Sequence, residues 1–422
     1  MGFHFRLNAE NSIDKSTVII NDKEQRHLTY CLNIHPGERW SELFSAIQEK
    51  SLVVRNAISP DHPFGLGLRL GSQATQDLMK PGALEEFKAY LAEHRLYAFT
   101  VNGFSYGRFH GDSIKEKVYQ PDWRTIARRE YTNQLATLLA DLLPPGVEGS
   151  LSTVPGSFKP WIIRRDDAGR MVEKLVECVI HLARIHERTG KVIHLGLEPE
   201  PGCYLETTEE TIRFFKEEVM GIGLRYLQRR ISCKKELAES YLRTHLGVCF
   251  DTSHVAVQFE DPSDSLLAYD AAGIRISKIQ LSAALEVFNE RSCIEALHPF
   301  VEPVYLHQVK AMTRHGAIRS WNDLPDALNQ VKDQREFDRL RIHFHVPLFW
   351  EGSSLLGTTA SGLNASFFEA VRKTSCSHLE IETYTYDVLP ERLRPPDIVS
   401  SISNEFSWVL QRMSVPAQPA SS

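Results

Sequence analysis

The sequence lacks the patterns that mark several large functional classes. Its seven cysteines are scattered, odd in number and never in a CxxC spacing, so neither a zinc ribbon nor a disulfide framework is supported. It has no glycine-rich loop of the Gly-x-Gly-x-x-Gly type and no phosphate-binding loop ending in Lys-Ser or Lys-Thr. These absences argue against the common nucleotide-binding folds.

Positive charge and long apolar runs are also scarce. The formal net charge is −6, which leaves no general basic field for a nucleic acid. No apolar run approaches the roughly 20 residues of a spanning helix, and the first residues, MGFHFRLNAENS, do not resemble a signal peptide. With 42% hydrophobic and 24% charged residues, the sequence predicts a globular, cytoplasmic protein with no nucleic-acid partner.

Short apolar runs recur along the chain, and most are followed by a turn and then a helical pattern. This alternation, without a run of hairpins, indicates parallel βαβ units. Eight such strands close a single (β/α)8 TIM barrel, and a doubly wound sheet is the alternative. The eight strand candidates are residues 27–34, 64–71, 96–104, 191–202, 245–254, 276–285, 341–349 and 378–386.

The predicted domain organisation follows from these strands. Residues 1–26 are polar and form an amino-terminal extension, residues 27–412 form the barrel, and residues 413–422 form a flexible tail. A long insertion of about residues 105–165 leaves the third strand at its carboxyl end, which is the active face of such barrels. Its mixture of aromatic and charged residues favours an ordered lid.

Acidic residues and histidines fall near the ends of the apolar strands, where an unpaired charge is costly. Because side chains alternate along a strand, the inner side of a barrel would gather them around one axis. They are Glu198 and Glu200 on the fourth predicted strand, Asp251 and His254 on the fifth, Gln280 on the sixth, His343 and His345 on the seventh, and Glu380 and Glu382 on the eighth.

Carboxylates together with imidazoles predict a divalent-metal site for Mn²⁺, Zn²⁺, Mg²⁺, Fe²⁺ or Co²⁺. Glu198, Asp251 and Glu382 are the predicted carboxylate ligands. The imidazole is open between His254, His343 and His345, and His254 is also a candidate for orienting Asp251 or touching substrate.

Several other residues are candidates for catalysis or substrate contact. Glu380 and Glu200 could act as general bases if they face inward. Gln280 could offer a neutral oxygen. Arg69 could grip an anion or form an ion pair within the barrel mouth. His35 could touch substrate or simply belong to a turn, and His110 would line the lid.

The order of Glu in LEPEPG, Asp-x-x-His in FDTSH and Glu in HLEIETYTYDVLP resembles the xylose isomerase-like TIM barrels, which include sugar isomerases, sugar epimerases and endonuclease IV. More narrowly, the chain from about residue 28 to residue 390 resembles the EboE family of metabolite traffic proteins. Six strings in order carry that resemblance: LTYCLNIHPGE, VNGFSYGRFHG, VYQPDWRTIARREYT, LEPEPGC, FDTSH and HLEIETYTYDVLP.

The resemblance implies a sugar phosphate isomerase or epimerase scaffold in a pathway for a small metabolite, with membrane-associated pathway proteins as partners. It implies that Glu198 and Glu382 bind the metal and exchange a proton with substrate, with Asp251 as a further ligand. The chain departs from the sugar epimerases at Gln280, where those enzymes commonly place a ligating histidine. Two hypotheses follow: a metal-dependent isomerase or epimerase of a sugar or polyol, and a non-catalytic carrier of a metabolite.

Overall fold

The computed structural model describes residues 19–20, 25–111, 113–331 and 336–414. The predicted amino-terminal extension and tail lie almost entirely outside these ranges. The strands are β1 (Ile19–Ile20), β2 (Arg26–Tyr30), β3 (Phe64–Arg69), β4 (Leu96–Asn102), β5 (Gly149–Thr153), β6 (Ile193–Leu197), β7 (Leu246–Asp251), β8 (Arg275–Leu281), β9 (Ala283–Phe288), β10 (Val309–Thr313), β11 (Ile318–Trp321), β12 (Phe337–Val346), β13 (Gly357–Thr358) and β14 (His378–Ile381).

Helices connect most of the strands. They are α1 (Trp40–Ala46), α2 (Leu52–Ile58), α3 (Ser72–Leu78), α4 (Ala83–Glu93), α5 (Ile126–Leu142), α6 (Asp167–Thr189), α7 (Thr208–Phe214), α8 (Leu224–Ile231), α9 (Lys235–His245), α10 (Thr252–Val257), α11 (Pro262–Ala271), α12 (Arg291–Glu295), α13 (Leu324–Val331), α14 (Ala365–Lys373) and α15 (Ile398–Ser414). Among these described helices, none combines the length and the apolar composition needed to cross a membrane.

Eight parallel strands form a barrel, which confirms the predicted fold. Their order is β2-β14-β8-β7-β6-β5-β4-β3, and a parallel bridge from Cys31 to Gly67 joins the first strand of this order to the last. Close approach at that seam requires glycine at residue 67, because a Cβ there would lie 2.8 Å from the carbonyl oxygen of Tyr30. The strands are buried on both faces, as expected of a barrel covered by helices.

Two strand assignments differ from the prediction. β5, of sequence GSLST, is a barrel strand that the sequence analysis placed inside the insertion of about residues 105–165. It was missed because it is short and contains a single large apolar residue. With α5 and β5 assigned to the barrel, the irregular part of that segment before α5 is residues 103–125.

The predicted seventh strand belongs to another sheet. Residues 341–349 overlap β12, which lies in a five-stranded antiparallel sheet of order β11-β10-β12-β9-β13. This inserted sheet occupies the chain between the barrel strands β8 and β14. A buried strand of a barrel and one of an antiparallel sheet carry the same apolar signal, so periodicity alone could not separate them.

Every second residue of a barrel strand points inwards, so the inward side chains are stacked in layers along the barrel axis. On β14, His378 packs 5.5 Å from the ring of His194, Glu380 pairs with Lys278, and Glu382 reaches the carboxyl end of the strands. The histidine level therefore lies at the amino end of the barrel, opposite the carboxylates. Burial lowers the pKa of His194 and of His378 well below the ordinary value, so both rings are neutral.

These buried histidines should make the protein less stable in acid. A group with a folded-state pKa below its unfolded value of about 6.5 stabilises the fold above that pH and loses this contribution as pH falls towards the folded-state pKa. The lost contribution approaches about 1.4 kcal/mol per pH unit for each such histidine. Replacing His378 with Asn should therefore flatten the dependence of the free energy of unfolding on pH between about 6.5 and 5, as measured by urea denaturation.

The matched control is His62→Asn, because His62 lies in the loop before β3 and is only partly buried. This control should keep the wild-type dependence on pH. An unchanged slope in the His378 variant would contradict the assignment of a neutral, buried ring.

Candidate metal centre

Three carboxylates converge at the carboxyl end of the barrel. Glu198 follows β6, Asp251 ends β7, and Glu382 follows β14, and each is at most 4% exposed. The strands that carry them are neighbours or share a neighbour in the barrel, which brings the three side chains close together. The carboxyl end of parallel strands thus collects negative charge away from water.

Asp251 is held by hydrogen bonds through only one of its oxygens. It caps α10, and its Oδ1 accepts from the Ser253 and His254 amides at 2.8 and 3.0 Å, from the Ser253 hydroxyl at 2.8 Å and from the Ser282 hydroxyl at 2.7 Å. Its Oδ2 is buried and has no partner among the described residues. This unpartnered oxygen is available for a cation.

Glu382 and Glu198 each show one half of this pattern. The Oε1 of Glu382 accepts from the side-chain amides of Asn33 at 2.8 Å and Asn102 at 3.0 Å. The Oε2 of Glu198 is buried without a partner among the described residues. Burying a carboxylate oxygen without a donor costs free energy. The Oδ2 of Asp251 and the Oε2 of Glu198 would therefore be stabilised by a cation or a proton.

Three imidazoles face the carboxylates, and each is oriented through its Nδ1. His254 donates to the carbonyl oxygen of Pro199 at 3.0 Å, and His345 donates to the backbone oxygen of Glu382 at 2.8 Å. His343 donates to the Gln308 Oε1 at 2.7 Å. Since these oxygens can only accept, Nδ1 carries a proton in each ring, and the neutral form of the ring has its lone pair on Nε2.

The Nε2 atoms of His254 and His345 both face that of His343, and the His345 Nε2 also lies 2.8 Å from the Ser253 hydroxyl oxygen. The His254 and His343 Nε2 atoms lie 3.0 Å apart, and the His343 and His345 Nε2 atoms lie 3.3 Å apart. Lone pairs cannot hydrogen-bond to each other, and donors about 2.0–2.1 Å from one tetrahedral zinc ion would be separated by roughly 3.3–3.4 Å. The spacing therefore matches the donor set of a transition-metal site.

The donor atoms of the carboxylates and imidazoles overlap in three groups, each with all atoms within 4.8 Å of one another. These groups are His254 with His343 and His345, Glu198 with Asp251 and His254, and Asp251 with His345 and Glu382. All six residues predicted as metal ligands are thus brought together. The sequence left the imidazole ligand open between His254, His343 and His345, and all three lie in one group.

The protonation of these groups follows from burial and mutual charge. Burial lowers the pKa of His345 to about 4, and burial with the neighbouring His254 lowers that of His343 well below the ordinary value. Burial, and then the charge of Asp251 or Glu198, raises the pKa of Glu198 and of Glu382 well above the ordinary range. A cation at the centre would relieve this repulsion.

Asp251 differs from the two glutamates. Burial raises its pKa, but His254, His345 and the hydrogen bonds to Oδ1 outweigh burial and lower the pKa to about 2. Asp251 therefore stays ionised across the physiological range.

Glu200 and Gln308 form a second layer around His343. The Gln308 amide nitrogen donates to the carbonyl oxygen of Pro201 at 2.9 Å and to the Glu200 Oε1 at 3.2 Å, which fixes its oxygen towards His343. Tyr119 donates to the same Glu200 oxygen at 2.7 Å. Glu200 thus lines the cavity as a supporting group, and burial raises its pKa.

Glu380 and Gln280 lie one level below the cavity. Glu380 pairs with Lys278, and both are fully buried. Gln280 accepts a hydrogen bond from the Cys249 thiol, and its Nε2 has no partner in the described part of the chain. Neither residue is brought into the cavity, so the structure does not place Glu380 where it could act as a general base on a ligand there.

Arg69 lines the cavity but is held by the protein. It pairs with Glu38 at 3.0 Å, and that carboxylate also accepts from the His110 amide at 3.1 Å. His110 contacts Asn33 through its ring and is not among the residues that line the cavity. The Ser105 hydroxyl stands in a Gly-x-Ser-x-Gly string, and it accepts from Arg69 rather than meeting an imidazole.

His35 is not brought to the cavity either. Its Nε2 is 3.0 Å from the hydroxyl of Tyr30, which also contacts Ser51, and burial lowers the pKa of His35 to about 4. His35 packs against the ring of Tyr30 and is not among the residues that line the cavity.

The space above the centre, including the part that opens to solvent, is about 620 Å³. Its floor is formed by Glu198, His254, His343, His345 and Glu382, with Asp251 outside the lining, and its walls come from the loop after β4 and from the segment that precedes β10. β12 pairs with β9 up to Ile342 and again from His345, and the irregularity between them turns both histidines towards the barrel.

Sequence reasoning missed the polar residues that orient the ligands. Asn33, Asn102, Ser253, Ser282 and Gln308 each hydrogen-bond a candidate ligand. A usable signal existed for Asn33 and Asn102, since both follow apolar strands at the same end of the barrel as Glu198. Gln308 carries no such signal because it lies outside the barrel strands.

No protein-family model matches the chain, and no curated protein matches it in sequence. Solved structures to which it is similar include a probable 3-DHS dehydratase from Bacillus anthracis involved in petrobactin synthesis, at 12% identity and a TM-score of 0.47, covering 91% of this chain and 98% of that one.

Two further similar structures are the IOLI protein with a bound zinc atom and an L-ribulose 3-epimerase. Each is 12% identical with a TM-score of 0.46. The match to the IOLI protein covers 92% of this chain and 98% of that protein, and the match to the epimerase covers 93% of this chain and 99% of the epimerase. At this distance, the chemistry of the site follows from its own residues.

Replacing Gln308 with Leu should destabilise the protein by about 1–3 kcal/mol, because it leaves the buried Nδ1 of His343 without an acceptor. Chemical denaturation at neutral pH measures the change. Gln76→Leu is the matched control, since Gln76 is exposed on α3 and should shift the free energy of unfolding by less than about 0.5 kcal/mol. Equal effects of both substitutions would contradict the described network.

Proposed function

We propose that this protein is a metal-dependent isomerase or epimerase acting on a sugar, a polyol or a related hydroxy-carbonyl compound. The observation that carries the proposal is the convergence of three imidazole Nε2 atoms with Glu198 and Asp251, each of which has one buried oxygen without a partner among the described residues. Such a donor set suits a divalent transition metal.

His254, His343, His345 and Asp251 are the proposed core of the metal site, with Glu198 and Glu382 at its edge. A divalent ion bound there would polarise a carbonyl or hydroxyl oxygen of the substrate. The Nδ1 acceptors hold the rings in one tautomer, and the donors to Asp251 Oδ1 keep its second oxygen towards the centre.

Glu198 and Glu382 are the proposed proton carriers. Both line the cavity, and burial raises the pKa of each, which brings their proton affinity towards the range in which a carboxyl both takes and gives a proton. The Asn33 and Asn102 amides hold one oxygen of Glu382 and leave the other to the cavity.

The second candidate function is a carrier that binds a metabolite without converting it. The observation in its favour is Gln280, which bonds Cys249 below the cavity where sugar epimerases commonly place a ligating histidine. The resemblance to the EboE family supports a role of either kind in the biosynthesis and trafficking of a small metabolite, with membrane-associated partners.

Metal-free protein should bind at least one equivalent of Zn²⁺ or Co²⁺ when titrated by calorimetry. His345→Ala and Glu198→Gln should each weaken that binding by about 10- to 100-fold or more, because each removes a donor from the centre. His62→Ala, which alters a histidine remote from the cavity, should bind metal as the wild type does. Absence of binding in the wild-type protein would refute the proposed metal site.

Catalysis can be separated from carriage by proton exchange. Metal-loaded protein incubated with free ketopentoses and ketohexoses in D₂O should incorporate deuterium at the carbon next to the carbonyl of its preferred sugar, as followed by proton NMR. Glu198→Gln and Glu382→Gln should each slow exchange by about 10²- to 10⁴-fold. Glu239→Gln, on α9 outside the barrel, should not. Ligand binding with no exchange in any sugar would favour the carrier.

A further inference from the structure

The two cations that line the cavity have no hydrogen-bond donor left for a ligand. The guanidinium of Arg69 has five N–H groups. Two of them meet the carbonyl oxygens of Gly37 and Gly107, both at 3.0 Å, and one meets the Glu38 carboxylate at 3.0 Å. The remaining two reach the Ser105 hydroxyl at 3.3 and 3.2 Å. The charge and all of the donors of Arg69 are therefore used within the protein.

Lys115 is committed in the same way. Its ammonium group has three N–H donors, and these meet the Glu302 carbonyl oxygen at 3.2 Å, the Tyr305 carbonyl oxygen at 2.7 Å and the Asp323 carboxylate at 2.7 Å. These contacts tie the loop after β4 to the segments before β10 and after β11. Lys115 thus holds the wall of the cavity together.

The remaining charges of the cavity disfavour an anionic ligand. Glu198, Glu200 and Glu382 line the same space, so a phosphate group would meet carboxylates and already neutralised cations. Phosphate recognition normally uses free arginine or lysine donors or a helix terminus. The lining therefore fits an uncharged ligand.

The upper half of the cavity is aromatic. Phe109, Tyr305 and Tyr384 form a cluster in which every pair of ring centres lies 5.1 to 5.4 Å apart. Tyr384 also packs 4.7 Å from the ring of His345, so this aromatic cluster begins next to the metal centre. Leu306 and Phe104 extend the apolar wall.

We propose that the cavity binds an uncharged, amphipathic molecule whose oxygen donors lie at the metal centre and whose apolar or aromatic substituent packs against the aromatic cluster. Phosphorylated sugars are thereby disfavoured. The placement of the ligand's oxygen donors at the metal centre rests on the proposed function. The lack of charge and the apolar substituent are inferred from the fully bonded Arg69 and Lys115 and from the aromatic cluster.

The test uses three hydroxamic acids that share one metal-binding head. Full-length, zinc-loaded protein is titrated by calorimetry with acetohydroxamate, octanohydroxamate and phosphonoacetohydroxamate. Burial of several methylene groups should make octanohydroxamate bind at least about tenfold tighter than acetohydroxamate. Phosphonoacetohydroxamate should bind no tighter than acetohydroxamate.

Phe109→Ala and Leu306→Ala should each reduce the preference for the longer tail, and Leu237→Ala, at an exposed position of α9, should preserve it. Equal affinity for the short and long tails, or tighter binding of the phosphonate, would overturn this inference while zinc binding upholds the metal site. Failure of the protein to bind zinc would overturn both.

Discussion

Negative charge collected out of water at one end of the barrel is the constraint on which the rest of the site depends. Glu198, Asp251 and Glu382 are buried at the ends of neighbouring or nearly neighbouring strands. Two like charges about 4 Å apart repel by roughly 4 kcal/mol at an effective dielectric constant of 20. Amide and hydroxyl donors satisfy one oxygen of Asp251 and of Glu382, while one oxygen of Asp251 and one of Glu198 have no partner among the described residues, so the surroundings favour a cation.

The inserted sheet adds two imidazoles to the candidate ligands that the barrel provides. Barrel strands and the helix after β7 supply the three carboxylates and His254, whereas His343 and His345 arrive on β12 from outside the barrel. Both rings are neutral because burial lowers their pKa. They add donor atoms without adding charge, and the same sheet closes the cavity from above. The barrel has Gln280 where a ligating histidine would be expected, and the inserted sheet instead provides imidazoles through His343 and His345.

The sequence was most informative where a side chain follows directly from strand alternation. Glu198, Asp251 and Glu382 were predicted because each ends an apolar run, and the two-residue period fixes the face. The period does not fix depth: Glu380 and Glu382 share a face, yet Glu380 lies a level lower beside Lys278, 102 residues away in the chain. His343 and His345 were predicted as ligands on a wrongly placed strand, since buried strands of the two sheets look alike. β5 and the loop contacts of Arg69 depend on packing that no local pattern encodes.

The hydrogen-bond acceptors of the three Nδ1 atoms differ in whether a substitution can remove them. The acceptors for His254 and His345 are backbone oxygens, which no side-chain substitution removes. His343 alone depends on a side chain, that of Gln308, which is in turn fixed by Glu200 and the Pro201 carbonyl. A charged acceptor at that position would make the ring a stronger donor to a metal, whereas the neutral amide keeps it weaker. Among the Nδ1 acceptors of the three imidazoles, Gln308 is therefore the one that a substitution can change without altering a ligand.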